Sequence, residues 1–419
     1  MRLRRTRRRC HEGMVGGAAC GHPRLTKPMP SGGRAHSTRA IGVLGGHRSD
    51  VDPAGRIVHN GREDLVWWVQ AEDSLHDPAT SPTVRQRLLG GVPVVETRVR
   101  VPDGDVVSVA YAAADRGGAD VVAFTNESPR AVAVIVQGSR IEGLRSATAA
   151  PRELGLGDAR VIPLAHSATA VVGVPRSGSI GDPSTLPDAA TVASGWRSRC
   201  ERAGRVVLPP GPGGHRRVAE LTEHRCRVLL DGLPDPTGEP VDHLLAVDQI
   251  VRMGEPAGPL IGDVVTAIER SVRRRHALSA QALAATRRVL SAAGEVRALG
   301  DLERLAARTS GRPLRDGGSM AAATRLEWSL VAPLKDRTEL FIDGYDEHWL
   351  GQSVEVHDLP TAHGATVSFA LRWHGARPAL LWECSEPGPR LTASTVDATF
   401  DTTEPSGEVL LAAPAVAET

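Results

Sequence analysis

The chain is 419 residues long, carries 50 Lys and Arg against 49 Asp and Glu, and has a formal net charge of +1. That length exceeds what one ordinary core needs and predicts two or three domains. The balanced charge excludes a global field that would gather nucleic acid or an anionic membrane, so neither is expected as a partner.

Lys27 and Lys335 are the only lysines, and beside abundant Ala, Gly, Val and Pro the excess of arginine reads as genomic base bias. The five cysteines, Cys10, Cys20, Cys200, Cys226 and Cys384, are scattered and contain no C-x-x-C. That usage argues for reduced thiols and predicts a cytoplasmic protein. No apolar core follows the basic start, as a signal peptide requires, and no long apolar span follows later. Gly45-Gly46-His47 and Gly211–Gly214 lack the Lys-Ser/Thr of a phosphate cradle and read as linkers, so no cofactor is expected.

The expected fold class is α+β, with an N-terminal β-sandwich (41–180), a short α-helical, α-hairpin middle (181–316) and a C-terminal β-sandwich (317–419). Residues 1–40, with six arginines among the first nine, have no hydrophobic periodicity and are expected to form a disordered basic arm. Cys10-His11 and Cys20-Gly21-His22 fit no common zinc spacing, and no metal is expected. From Val94 to Val101 the chain alternates, Val95, Thr97, Val99 and Val101 on one face and Glu96, Arg98 and Arg100 on the other. Pro102-Asp103-Gly104 supplies a fixed φ, an Asx acceptor and a glycine suited to positive φ, so a hairpin into Val106–Tyr111 is predicted. Further strands are predicted at Val121–Thr125, Ala131–Val136, Arg160–Pro163 and Thr169–Val174.

Around Pro183 the period changes. A helix is predicted through Trp196 to about Ala203, started by Asp188 or Thr185, and a second carries the stripe Val218, Leu221, Cys226, Leu229 and Leu230. Four more follow, at about Val241–Met253, Ile261–Arg275, Ser279–Ala293 and Leu299–Arg308. Past Gly317-Gly318 the pattern returns to strands. Val367, Phe369, Leu371 and Trp373 share one face and Thr366, Ser368, Arg372 and His374 the other, which predicts a half-buried antiparallel sheet. Gly407–Pro414 reads as a last strand and tail.

Three segments taken together resemble bacterial glycosidases of the six-hairpin, or (α/α)6-barrel, type. They are Val94–Val99 with Val121–Val136 and its Asn126-Glu127-Ser128-Pro129 turn, then Trp196 with Val207-Leu208-Pro209 and Arg225–Leu230, and last the segment His348–Cys384. The resemblance implies a sandwich, barrel and sandwich with catalytic carboxylates on barrel loops. Such a barrel needs about twelve helices, and the span from Pro183 to Gly317 has room for about half. No catalytic residue therefore transfers to a matching position.

The expected function is non-catalytic carbohydrate or glycoconjugate binding, or a scaffold role. The alternative is an active glycoside hydrolase acting on an α-glucan or oligosaccharide, with a carboxylate pair among Asp242, Asp248, Glu255, Asp263 and Glu269. Surface-helix carboxylates are usually only solvated. Glu355, His357, Arg372 and His374, with Glu383 near them, are expected on the outer face of the C-terminal sheet, as a binding cluster or as cross-strand charge pairs. Trp67, Trp68 and Trp349 are candidates for sugar stacking. Trp349, beside Gly351, is expected to be exposed, and one of the adjacent pair Trp67-Trp68 must lie in the core.

Overall fold

Strands between Arg39 and Pro175 build two antiparallel sheets, because short β-branched runs there are punctuated by turn residues every few positions. The computed structural model describes residues 38–144, 146–211, 213–310, 318–362, 364–385 and 389–414. These belong to one unit, Ser37–Thr419. The first 37 residues, with Cys10, Cys20 and most of the expected basic arm, lie outside the described residues. Arg39 and Ala40, placed in that arm by the sequence, already pair in a strand with Asp50 and Val51.

The first sheet centres on Arg62–Gln70, flanked by Ile57–His59 and Val132–Gln137, with Arg160–Leu164 and Thr148–Ala149 at one edge. The second runs in space Thr169–Pro175, Ala119–Asn126, Gly104–Ala113, Val95–Val101 and Arg85–Leu88. One apolar cluster takes side chains from both, including Trp67 and Val69 from the first and Val99, Val106 and Phe124 from the second. The rings of Trp67 and Phe124 lie 5.2 Å apart.

The predicted hairpin is present, but Asp103 and not Gly104 takes the positive φ, at 60°. Val101 pairs with Gly104, which leaves Pro102-Asp103 as the two-residue loop. Gly104 is required for a different reason: a Cβ there would lie 2.4 Å from the Ser128 Cα. Asn126 fixes the neighbouring turn by donating Nδ2 to the carbonyls of Arg130, Leu164 and Ala165 and accepting from the Ser128 amide.

Seven α-helices follow among the described residues: α1 (Ala189–Glu201), α2 (Gly214–Asp231), α3 (Pro240–Arg252), α4 (Ile261–Arg273), α5 (Ala280–Ala292), α6 (Val296–Thr309) and α7 (Ser319–Leu330). The Asp188 carboxylate accepts from the Thr191 amide and starts α1, while Thr185 belongs to the preceding 3-10 turn. Ser279 caps α5 in the same way. α3 is buried nearly all round. Its Leu244, Leu245 and Val247 join α1, α4 and α5 in a cluster that also takes Tyr111 and Val121 from the second sheet and Val92 and Val94 from the turn before its Val95–Val101 strand.

α7 corrects the sequence reading, which returned to strands past Gly318. Its Ala-rich run favours helix, and its start is stabilised from far away in the chain. Asp242 of α3 accepts from the backbone amides of Gly318 at 3.0 Å, Met320 at 3.3 Å and Ala321 at 3.1 Å. A carboxylate at a helix N-terminus satisfies orphan donors and complements the helix dipole.

The C-terminal part again forms two sheets. One runs Arg205–Val207, Val354–Pro360, Thr366–His374, Arg377–Cys384 and Ser406–Leu410, so a strand from between α1 and α2 supplies its edge. The other joins Val331–Pro333, Thr338–Leu340, Leu391–Ala393 and Asp397–Thr402. Val367, Phe369 and Leu371 point inward as expected, into a cluster shared with Leu340, Leu391 and Phe400 of the second sheet and with Leu221 and Leu326 of α2 and α7. Gly407 is needed where Trp382 crosses it, since a Cβ would meet that ring at 2.5 Å.

Candidate functional site

The carboxylates of the helical region converge on arginines. Asp248 of α3 accepts from Arg288 of α5, through Nε at 2.8 Å and Nη2 at 2.7 Å. Glu327 of α7 accepts from Arg225 Nη2 at 2.6 Å, Gln249 Nε2 at 2.7 Å, and Arg252 through Nη1 at 3.0 Å and Nη2 at 2.8 Å. Arg252 Nη1 also lies 3.6 Å from Asp248, so one guanidinium stands between the two acids. Arg225 is 3% exposed, and its remaining N–H groups reach Gln249 Oε1 and the carbonyls of Cys200, Ala203 and Gly204. Burial holds its pKa below the ordinary value, with the charge of Glu327 opposing and that of Arg252 adding to the effect. The space beside these groups, lined also by Trp328 and Leu359, is about 30 Å³, room for a water and not for a sugar ring.

The other expected acids take no part in this convergence. Asp242 caps α7. Glu255 pairs with Arg199 at 2.5 Å, Glu269 pairs with Arg273 one helical turn on, and Asp263 is exposed. An acid with a raised pKa facing a second carboxylate across a sugar-sized gap is what hydrolysis asks of a site. Asp242, Asp248, Glu255, Glu269 and Glu327 are instead bound to permanent cations or to amides, and Asp263 stands in solvent.

On the C-terminal sheet the outer face is as expected. Glu355 accepts from Arg372 at 2.5 Å and lies 3.7 Å from His357 Nε2, while Arg372 also reaches Ser353 at 2.9 Å. The strand register brings Glu355 opposite Ala370, diagonal to Arg372. His374 sits at the exposed hairpin end, opposite Arg377, and Glu383 opposite Ser368. Glu355, His357 and Arg372 are thus a chain of contacts on a wet face, and His374 stands apart from them.

Sugar stacking needs a free aromatic face, and the three tryptophans lack one. Trp67 is 1% exposed and lies in the N-terminal core. Trp68, 9% exposed, packs with Ile135 and Ala159 beneath the loop after Val132–Gln137. Trp349 corrects the expected exposure: at 3% it is buried, because the 3-10 turn Glu347–Trp349 tips it into the C-terminal cluster.

A roomy concavity lies at the edge of the first N-terminal sheet. The segment from Gly138 to Arg160 encloses about 850 Å³, lined by Ser139, Arg140, Glu142, Arg152, Asp158 and Arg160 among others. Glu142 is its anchor, accepting from Ser179 Oγ at 3.0 Å and from the amides of Ile180 and Gly181 at 2.9 and 2.8 Å. Arg140 donates to the Gly178 carbonyl at 3.0 Å. Arg152 and Arg160 are exposed, line the groove and make no ion pair among the described residues. The sequence reading passed over this groove because its charges are spread over twenty residues without a period; only the pairing of Arg160 with Val136 and Ala149 brings them to one edge.

Among the described residues no group of three or more His, Cys, Asp or Glu is placed to hold a metal ion, and no helix is long and apolar enough to cross a membrane. No protein-family model matches the chain, and no curated protein matches it.

Proposed function

We propose that this protein is a non-catalytic carbohydrate-binding or glycoconjugate-binding protein, two β-sandwiches joined by a reduced helical middle, related to six-hairpin glycosidases. Each pair of sheets shares one apolar cluster, which supports the sandwich reading. The observation that carries the binding role is the groove at Gly138–Arg160, whose Arg152 and Arg160 are unpaired while its Glu142 and Arg140 are fixed to backbone. Its volume falls in the range of small-ligand sites. Arginine forks match carboxylate and sulfate oxygens in two-point contacts, and Asp158 and Ser139 offer partners to sugar hydroxyls. The ligand class is therefore an acidic oligosaccharide or glycoconjugate. The hydrolase reading has less behind it, since Asp248 and Glu327 meet across an arginine in a water-sized space.

Calorimetric titration with uronic-acid and sulfated oligosaccharides, set against neutral maltooligosaccharides, tests the proposal. Binding of the acidic series alone is expected, weakening with salt and falling at least about tenfold in Arg152→Ala/Arg160→Ala. No binding by any oligosaccharide, equal binding of the neutral series, or an unaffected double variant overturns it.

A further inference from the structure

Two cysteines from different helices meet in the helical core. Cys200 lies in the last turn of α1 and Cys226 in the second half of α2, and their Sγ atoms are 3.4 Å apart. Both side chains are buried, 1% and 3% exposed, so the contact is enforced by the packing of α1 against α2. The two thiols differ. A hydrogen bond from the Cys226 thiol, opposed by burial and aided by the charge of Arg225, lowers the pKa of Cys200. The same bond and burial raise that of Cys226. Cys200 is thus the more readily deprotonated of two touching thiols, as a resolving cysteine needs to be.

Cys226 also lines a cavity of about 150 Å³ between α2 and the strands at Arg39 and Arg48, whose rim includes the exposed Arg227. That space admits a water-sized oxidant and excludes a protein thiol. Nothing in the proposed ligand groove involves either cysteine.

We propose that Cys200 and Cys226 are a modification site, oxidised by hydrogen peroxide to a disulfide that links α1 to α2. The Cys226 sulfur, which lines the cavity, attacks one peroxide oxygen; an S–O bond forms, the O–O bond breaks, and hydroxide leaves as water with the proton that Cys226 released. The Cys200 sulfur, losing its own proton, then attacks the sulfenic sulfur from 3.4 Å away; the S–S bond forms, the S–O bond breaks and a second water leaves. Two thiols lose two electrons and one peroxide becomes two waters. The link closes a loop between helices that already touch, so it restricts the unfolded chain and asks the folded one only to draw the two sulfurs together from 3.4 Å.

The test uses the full chain treated with stoichiometric hydrogen peroxide, denatured in a thiol-alkylating reagent, and read by intact mass and peptide mapping. The expected result is loss of two alkylation sites, a peptide pair joining Cys200 to Cys226, a raised melting temperature, and reversal of all three by dithiothreitol. Cys384, buried in the C-terminal sheet with its pKa raised by burial, stays alkylatable and is the internal control. In Cys200→Ser the crosslink is lost and the sulfenic acid of Cys226 is trapped as a dimedone adduct. Full alkylation of both cysteines after peroxide, or a crosslink that joins either of them to a different cysteine, overturns the proposal. The wild-type mass decides between these outcomes whether or not the variant folds.

Discussion

Replacing Glu327 by glutamine separates a structural carboxylate from a catalytic one. The substitution keeps the shape and removes the charge that faces Arg225 and Arg252. Arg225 is almost wholly buried, so its charge gains little from water once the carboxylate is gone. Breaking a buried ion pair on one side costs about 3–5 kcal/mol, and the glutamine amide would also point N–H groups at donors already there. The expected loss is therefore about 3 kcal/mol or more in urea unfolding followed by tryptophan fluorescence, Trp328 being next in the chain. A double-mutant cycle with Arg225→Gln should show the two losses to be strongly non-additive, because each single change strands the same partner. A hydrolase carboxylate would behave in the opposite way, costing activity with little or no loss of stability. A loss below about 1 kcal/mol, or additive losses, would refute the argument that Glu327 exists to neutralise the arginines.

Two further changes probe other joints of the fold. Asp120 is fully buried; burial pushes its carboxyl upward, but the hydrogen bond from His47, the charge of Arg176 and bonds from Ser49 and Arg176 more than offset this and hold it below its ordinary value of 3.8. A depressed folded pKa contributes stability above that value and loses it as the pH falls through the folded one, so the melting temperature should hold near neutrality and drop in acid below it, with a shallower acid slope in Asp120→Asn; equal slopes would count against it. Asp242→Ala removes the acceptor of three α7 amides and should lower stability by about 2 kcal/mol, with Asn restoring part of it; an unchanged urea midpoint would sink the capping role.

What the sequence could reveal divides along the length scale of the cause. Helices α1 to α6 announce themselves by apolar spacing and nearby caps such as Asp188 and Ser279, all within a few residues. α7 does not, since Met320, Ala323, Leu326, Glu327, Trp328 and Leu330 are all buried and leave no polar face to mark a period, while its capping carboxylate lies 76 positions earlier. The outer-face position of Glu355, His357 and Arg372 was legible because strand alternation is local. The burial of Trp349 was not, because the 3-10 turn that tips it is set by tertiary packing. Pairings such as Arg225 with Glu327, 102 positions apart, leave no trace in spacing or composition.

The arginine excess, which reads as base bias in the sequence, has a structural consequence that bias alone does not explain away. Arg288 with Asp248, Arg287 with Glu303, Arg87 with Glu96 and Arg390 with Asp401 each use two nitrogens on two oxygens. Arg225 goes further, spreading its donors over a carboxylate, an amide oxygen and three carbonyls from the end of α1. An ammonium has three donors at one point and cannot span partners that lie around a plane. Whatever placed arginine at these positions, the junction of α1, α2, α3 and α7 now depends on the fork. The same geometry underlies the proposed reach of Arg152 and Arg160, which make no ion pair among the described residues, toward an acidic ligand.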